Sequence, residues 1–293
     1  MSLGHELLDR VLTRLGLSAR PTVDRAGLDR LYAAWCLWVP FDNTRKLLAL
    51  RSGEPTPLPG IDPEDFLETW LEQGTGGTCW PSCNALYAVA AACGFDATRA
   101  TASMGDMSQA NHGTIVVHLE GRDYLVDSSM LLNRAVPFAP GEPAIDDDPL
   151  KPVEYETVDG VVRFWFEYLQ IRGWGSLPCR LLRRDVAESV FRESYEPSRT
   201  VGPFNNLLFG TRNFPDRIVT LHGRWEMIRS VDGTVTTTEH DAGSLRVALT
   251  ASLGLAPAFV DRWAASGALD ASLVDTPPPQ GPPTSEVAPS RRR

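Results

Sequence analysis

Leu7, Leu8, Val11, Leu12 and Leu15 recur at helical spacing ahead of Gly16, which predicts an amphipathic first helix with a glycine stop. A second stripe, Leu28, Leu31, Tyr32 and Trp35, predicts a helix from about Asp24 to Leu37 that Pro40 ends. Beyond a Gly/Pro-rich loop, Asp62-Pro63-Glu64 has the form of an N-cap, a proline at the first helical position and an acidic residue facing the macrodipole. It opens a third helix through Leu71. A fourth begins near Cys79 and closes at Gly94.

From Phe95 the period changes from helical to alternating. Residues 113–119 and 122–127 flank Glu120-Gly121, a hairpin signal, and 153–158 and 161–168 flank Asp159-Gly160 in the same way. Residues 218–230 and 234–238 around Asp232-Gly233 predict a third hairpin. Short helices are expected at 183–193 and 244–253. The packing signal fades beyond Trp263, and residues 274–293, with six prolines and a terminal Arg291-Arg292-Arg293, predict an extended, mostly disordered tail. A helical first third, a strand-rich middle and a mixed end make an α+β protein, without the βαβ alternation of a parallel sheet.

The composition narrows the classes. A chain of 293 residues with 43% hydrophobic content has enough apolar side chains for a sizeable core, which excludes a disordered polymer. Its 28 Lys+Arg against 37 Asp+Glu give a net charge of -9, with no footprint for a phosphate backbone, so no nucleic acid is expected as partner. No apolar run approaches the roughly 20 residues that span a bilayer, and MSLGHELLDR lacks the basic and apolar blocks of a secretory leader. The expectation is a cytoplasmic protein with no membrane partner. Five cysteines at irregular spacings form no disulfide framework, so their interest is chemical or nil.

Gly76-Gly77-Thr78-Cys79 places a cysteine where a glycine-rich turn enters a helix. Unsatisfied N–H groups and the helix dipole there favour a thiolate, the useful nucleophile, and the glycines permit close approach by a substrate. A buried cysteine behind a loop is the plain alternative. The hairpin adds to the case. With Glu120-Gly121 as a two-residue turn, paired positions sum to 241, so Asp127 faces Thr114, and His112 is its diagonal neighbour at roughly 7–8 Å. A carboxylate beside an imidazole fixes its tautomer and stabilises its protonated form, the orienting role in a nucleophile-base-acid triad. A histidine at a strand entrance also serves as a structural hydrogen-bonding group.

These residues resemble the arylamine N-acetyltransferase family, whose members carry Cys, His and Asp in that chain order. The family's P-F-E-N is similar to Pro40-Phe41-Asp42-Asn43, its R-G-G-x-C to Thr75-Gly76-Gly77-Thr78-Cys79, its helix-ending Gly-Phe to Gly94-Phe95, and its His and x-V-D to His112 and Val126-Asp127. Weaker similarity reaches Leu253-Gly254-Leu255. The resemblance implies a helical bundle over 1–94 with the nucleophile, an antiparallel β-barrel over 95–200 with His and Asp, and an α/β lid over 201–273. It implies Cys79, His112 and Asp127 as catalytic residues of a ping-pong acyl transfer from a thioester to a small-molecule amine. No cofactor is bound; acyl-CoA or an acyl-carrier-protein thioester is the co-substrate.

Thr75 departs from the family's arginine, and Ser128-Ser129-Met130 from the glycine and aromatic that follow its aspartate. Trp80 and Pro81 are expected to change the pocket again. An amide synthase acting on a carrier-bound acyl chain fits these departures, and a transglutaminase-like hydrolase or amidase uses the same triad. A silent binding module is a further reading. Cys83 shares a helix face with Cys79 and is read as a second thiol or, more simply, as core; Cys36, Cys93 and Cys179 are assigned to packing, and no metal site is expected. His118 is read as a surface residue, His222 and His240 as lacking a partner pattern, and Asp146-Asp147-Asp148 as a solvated loop. Phe164, Trp165, Phe166 and Tyr168 are assigned to the barrel core; Tyr195, Phe204 and Phe209 fall where the family lines its acceptor pocket. The tail carries +1 and the body -10, which opposes an anionic donor unless a local cation offsets it.

Overall fold

The structure is a computed structural model that describes residues 3–105, 108–139, 144–146, 148, 150–158, 161–167 and 176–278. Most of the expected tail, Asp147, Tyr168 and the side chains of Asp146 and Phe166 lie outside the described residues.

Helix α1 (His5–Arg14) buries Leu7, Leu8, Val11 and Leu12, and the chain turns out at Gly16 with φ +75°. Helix α2 (Arg25–Trp38) is capped by Asp24, whose carboxylate accepts the Gly27 N–H at 2.7 Å. A two-residue strand β1 (Phe41–Asp42) leads into α3 (Thr44–Ser52), a helix absent from the sequence expectation. Helix α4 (Pro63–Gln73) begins as expected: Asp62 accepts the N–H groups of Glu64 and Asp65, and Pro63 stands in the first turn. Helix α5 (Cys79–Ala92) is apolar nearly all round and accordingly buried at the centre of the molecule.

The strands that follow are β2 (Asp96–Met104), β3 (His112–Leu119), β4 (Arg122–Val126), β5 (Val136–Phe138), β6 (Ala144–Asp146), β7 (Val153–Val158), β8 (Val161–Glu167) and β9 (Ser176–Arg183). They form one antiparallel sheet in the order β5-β4-β3-β2-β9-β8-β7-β6. The sheet curls into a nearly closed barrel, and Phe138 of β5 meets Phe164 of β8 edge-on at 5.4 Å and Tyr155 of β7 at 6.4 Å across the seam. Glu120 and Gly121 both take positive φ, +53° and +75°, the two-residue turn expected, and the β3–β4 register is the one that sums to 241. Phe164 is buried as assigned, whereas Trp165, on the other face, is half-buried.

Residues 183–187 are not helical: Arg183 ends β9, and the helix α6 (Glu188–Tyr195) starts five residues later, followed by a single 3-10 turn, Glu196–Arg199. The run at 218–230 is two strands, β11 (Arg217–His222) and β12 (Trp225–Ser230), separated at Gly223, φ +57°, and Arg224. With β10 (Phe209–Asn213) and β13 (Val235–Glu239) they make a second sheet, β1-β10-β11-β12-β13. Helices α7 (Ala242–Ala251), α8 (Pro257–Ala265) and α9 (Ala268–Ser272) share a second core with it, built on Leu221, Leu245, Leu249, Phe259, Trp263 and Leu269, so packing continues past Trp263. Each such side chain stabilises the fold by roughly 1.5–3 kcal/mol when fully buried. No helix among the described residues is long and apolar enough to cross a membrane.

Two junctions position the site. Helix α5 packs against β2 and β3, so its first residue meets the open end of the hairpin. Strand β1 pairs with β10 on one side and bridges Gly77 on the other, tying the second sheet to the loop ahead of Cys79.

Candidate active site

Cys79 is the first residue of α5 and is 8% exposed. The loop ahead of it is held by Asp42, whose buried carboxylate accepts the Gly76 N–H at 2.6 Å, the Thr44 N–H at 2.9 Å and the Thr44 hydroxyl at 2.6 Å. The two glycines are required by this packing. A Cβ on Gly76 would lie 1.8 Å from the Pro40 carbonyl oxygen, and one on Gly77 would lie 2.8 Å from the Phe66 ring. Pro81, third in the helix, has no N–H, so the first turn offers the N–H groups of Cys79 and Trp80. Trp80 packs edge-on to Phe191 at 5.1 Å and against Gly113, and Pro81 lies against Gly60 and Gly77.

His112 opens β3 and is 3% exposed. Its Nε2 is 2.8 Å from Oδ2 of the fully buried Asp127. Cys79 also acts on the same imidazole and helps to favour its protonated form. Burial by itself would push the His112 pKa down, but the charge and hydrogen bond of Asp127, with those of Cys79, outweigh it and raise the pKa well above 6.5. The same pairing holds the Asp127 carboxyl below the ordinary range against burial, which would raise it.

Asp127 is fixed by its own turn. Its Oδ1 accepts the N–H groups of Ser129 at 2.8 Å and Met130 at 2.9 Å, a local cap that frees Oδ2 for His112. Tyr32 adds a buried clamp the sequence did not single out. Its hydroxyl donates to the Asp127 carbonyl at 2.6 Å and accepts from the N–H groups of Asp127 at 3.2 Å and Leu132 at 3.0 Å. Only its place in the apolar stripe of α2 was visible, since its partners lie 95 and 100 residues away.

The other candidates fall elsewhere. Cys83 is fully buried, 3.0 Å from the Ser128 hydroxyl, and burial pushes its thiol well up; Cys36 and Cys179 are buried likewise. Thr75, at the family's arginine position, is buried with no hydrogen-bond partner for its hydroxyl. His118 is exposed and pairs with Asp123 at 3.0 Å. His240 does have a partner, Glu226 at 3.3 Å, and His222 stacks edge-on to Phe209. Asp148 caps Leu150 and Lys151 and pairs with Arg134 at 3.0 Å. Phe204 and Phe209 pack on Phe41, at 5.4 and 5.8 Å, and Tyr195, buried at the end of α6, donates its hydroxyl to the Pro59 carbonyl at 3.4 Å. Among the described residues no three His, Cys, Asp or Glu side chains converge as a metal site requires.

A central helix set against a nearly closed antiparallel barrel, with a second sheet over the junction, is an N-acyltransferase architecture. The family model for N-acetyltransferases matches residues 24–257. The fold is similar to a variant of the Mycobacterium smegmatis N-arylamine acetyltransferase, 20% identical, TM-score 0.77, covering 92% of this chain and 99% of that one. It is also similar to the Mycobacterium marinum arylamine N-acetyltransferase in complex with CoA, 17% identical, TM-score 0.75, over 91% and 98%. The Nocardia farcinica arylamine N-acetyltransferase matches at 20% identity and TM-score 0.72, over 90% and 95%. No curated protein matches significantly by sequence. The chain belongs to the arylamine N-acetyltransferase family and is an N-acyltransferase.

Proposed function

We propose that the chain transfers an acyl group from acyl-CoA to a small amine by a ping-pong mechanism on Cys79. The observation that carries this reading is the buried His112–Asp127 pair at 2.8 Å, on whose imidazole Cys79 acts as well. A protonated imidazole beside a cysteine is the arrangement that activates it as a nucleophile. The thiolate attacks the thioester carbonyl, the tetrahedral oxyanion collapses, and CoA leaves as thiol with the His112 proton. The amine then attacks the acyl-Cys79 thioester, His112 accepts its proton, and Cys79 departs as thiolate. The Cys79 and Trp80 N–H groups at the head of α5 are the donors placed to receive the oxyanion. Asp127 orients the ring and stays ionised throughout.

CoA is favoured as donor because a structural relative is crystallised with it; a carrier-protein donor, expected from the sequence as an alternative, has no support in these comparisons. Five free thiols fit a reducing compartment, and we place the enzyme in the cytoplasm. Product analysis with acetyl-CoA, with and without an arylamine, tests the reading. Amide must form at the expense of acetate as amine is added. Acetate release at one rate under both conditions would make the chain a hydrolase.

A further inference from the structure

One buried charge has no part in this chemistry. Lys46 stands in the first turn of α3 and is 4% exposed. Its Nζ donates to the Ser198 hydroxyl at 2.9 Å and lies 5.7 Å from the centre of the Tyr195 ring, beside Gly202. Asp42, four residues before it, fixes the loop of Cys79, and the charge of Cys79 is felt at Nζ. The ammonium is bordered by the 195–204 segment, which carries Phe204 onto Phe41, the neighbour of Asp42.

What this cation lacks is an anion. Among the described residues no carboxylate lies within ion-pair distance of Nζ. Glu196 contributes only through space, because its oxygens are taken by Arg199 Nε at 2.7 Å and the Leu58 N–H at 2.7 Å. Desolvating an ammonium for a single neutral hydrogen bond is costly, and burial lowers the pKa to about 8. An ammonium has three donors, and Ser198 uses one.

We propose that Lys46 is the binding group for a carboxylate on the substrate held over Cys79, so that the enzyme prefers either acyl chains or amine acceptors that end in a carboxylate. A carboxylate offers two oxygens for the two remaining donors and supplies the missing counter-charge. The acidic surface does not weigh against this, since the cation is itself buried away from that surface. The proposal rests on the reading of Cys79 as the acyl carrier, and the binding measurement below is independent of that reading.

Two substrate pairs separate the sources of the carboxylate: succinyl-CoA against acetyl-CoA as donors, and 4-aminobenzoate against aniline as acceptors. The wild type is compared with Lys46→Met and Lys46→Gln, the second keeping a hydrogen bond to Ser198 if the first does not fold. Donor rates are read as Cys79 acylation by intact mass, acceptor rates as amide formation. In one pair the ratio of charged to neutral substrate must fall by roughly ten- to hundredfold in the variants, and Lys46→Arg must retain part of it. The same ligands are titrated calorimetrically against Cys79→Ala with and without Lys46→Gln, which reads the subsite without any chemistry. A ratio that the variants leave unchanged in both pairs, with equal binding in the Cys79→Ala background, overturns the proposal. Carboxylate-dependent binding without an acyl adduct keeps the subsite and removes the mechanism.

Discussion

Replacing Asp127 by asparagine is the sharpest perturbation of the proposed site, because the carboxylate meets three donors with two oxygens. His112 Nε2 approaches Oδ2 at 2.8 Å, and the Ser129 and Met130 N–H groups approach Oδ1 at 2.8 and 2.9 Å. An amide has one acceptor oxygen. If that oxygen serves the turn, the NH2 group faces His112 and forces the proton onto the other ring nitrogen, the one that must receive a proton from Cys79. If it serves His112, the NH2 group opposes two backbone donors in a fully buried place. Either arrangement forfeits a buried ionic hydrogen bond, worth about 3 kcal/mol, which at roughly 2 °C per kcal/mol for a chain of this length lowers Tm by about 6 °C. It also removes the main charge that raises the His112 pKa, leaving burial to push it down. The acylation rate of Cys79, read by intact mass against time at pH 7, is expected to fall roughly a thousandfold or more, the scale of orienting-acid loss in other triads. Acylation within threefold of wild type in a folded Asp127→Asn protein would refute the assignment of Asp127 as orienter.

Tyr32→Phe strips the hydroxyl that serves the carbonyl and N–H of Asp127 and the N–H of Leu132; it should cost about 2–4 kcal/mol in urea denaturation and slow acylation without touching the reacting atoms. Gly76→Ala drives a Cβ into the Pro40 carbonyl, and the loss should exceed ~4 kcal/mol or abolish soluble expression, whereas Gly121→Ala, whose Cβ meets nothing within 4 Å, should cost only about 1–2 kcal/mol from its φ of +75°. The stability gap between wild type and Asp127→Asn should itself depend on pH. Asp127, held below 3.8, contributes above about pH 4 and loses its contribution as pH falls further; His112, raised above 6.5, contributes fully below that value and loses it as pH rises through about 10. Urea midpoints at pH 3.5, 6 and 10 should therefore show the widest gap at the middle value, and a gap that is flat across the series would contradict the ion pair.

The site was more legible than the fold around it. Its residues lie at local signals: a helix head after two glycines, and a hairpin whose turn residues fix the register that brings His112 to Asp127. Helix α3 was missed because it is only nine residues long and its N-cap, Asn43, makes no side-chain cap bond; the Lys46 on it was missed for the same reason. Strand β9 was hidden by Pro178, which ordinarily argues against a strand but here sits opposite Trp165, just past the end of the β2 ladder at Cys179. The β11–β12 turn at Gly223-Arg224 carried one glycine in an otherwise alternating run and read as continuous strand. Tyr32 and Asp42 act on partners far along the chain, and no local pattern announces that.

The most direct test is the mass of the protein itself. Incubated with acetyl-CoA and quenched in acid, the wild type should carry one acetyl group, mapped to Cys79 by peptide sequencing, and should lose it on addition of an arylamine as the amide appears. Cys79→Ala should stay unmodified under the same conditions. No adduct on the wild type, or an adduct that persists in Cys79→Ala, would contradict the account.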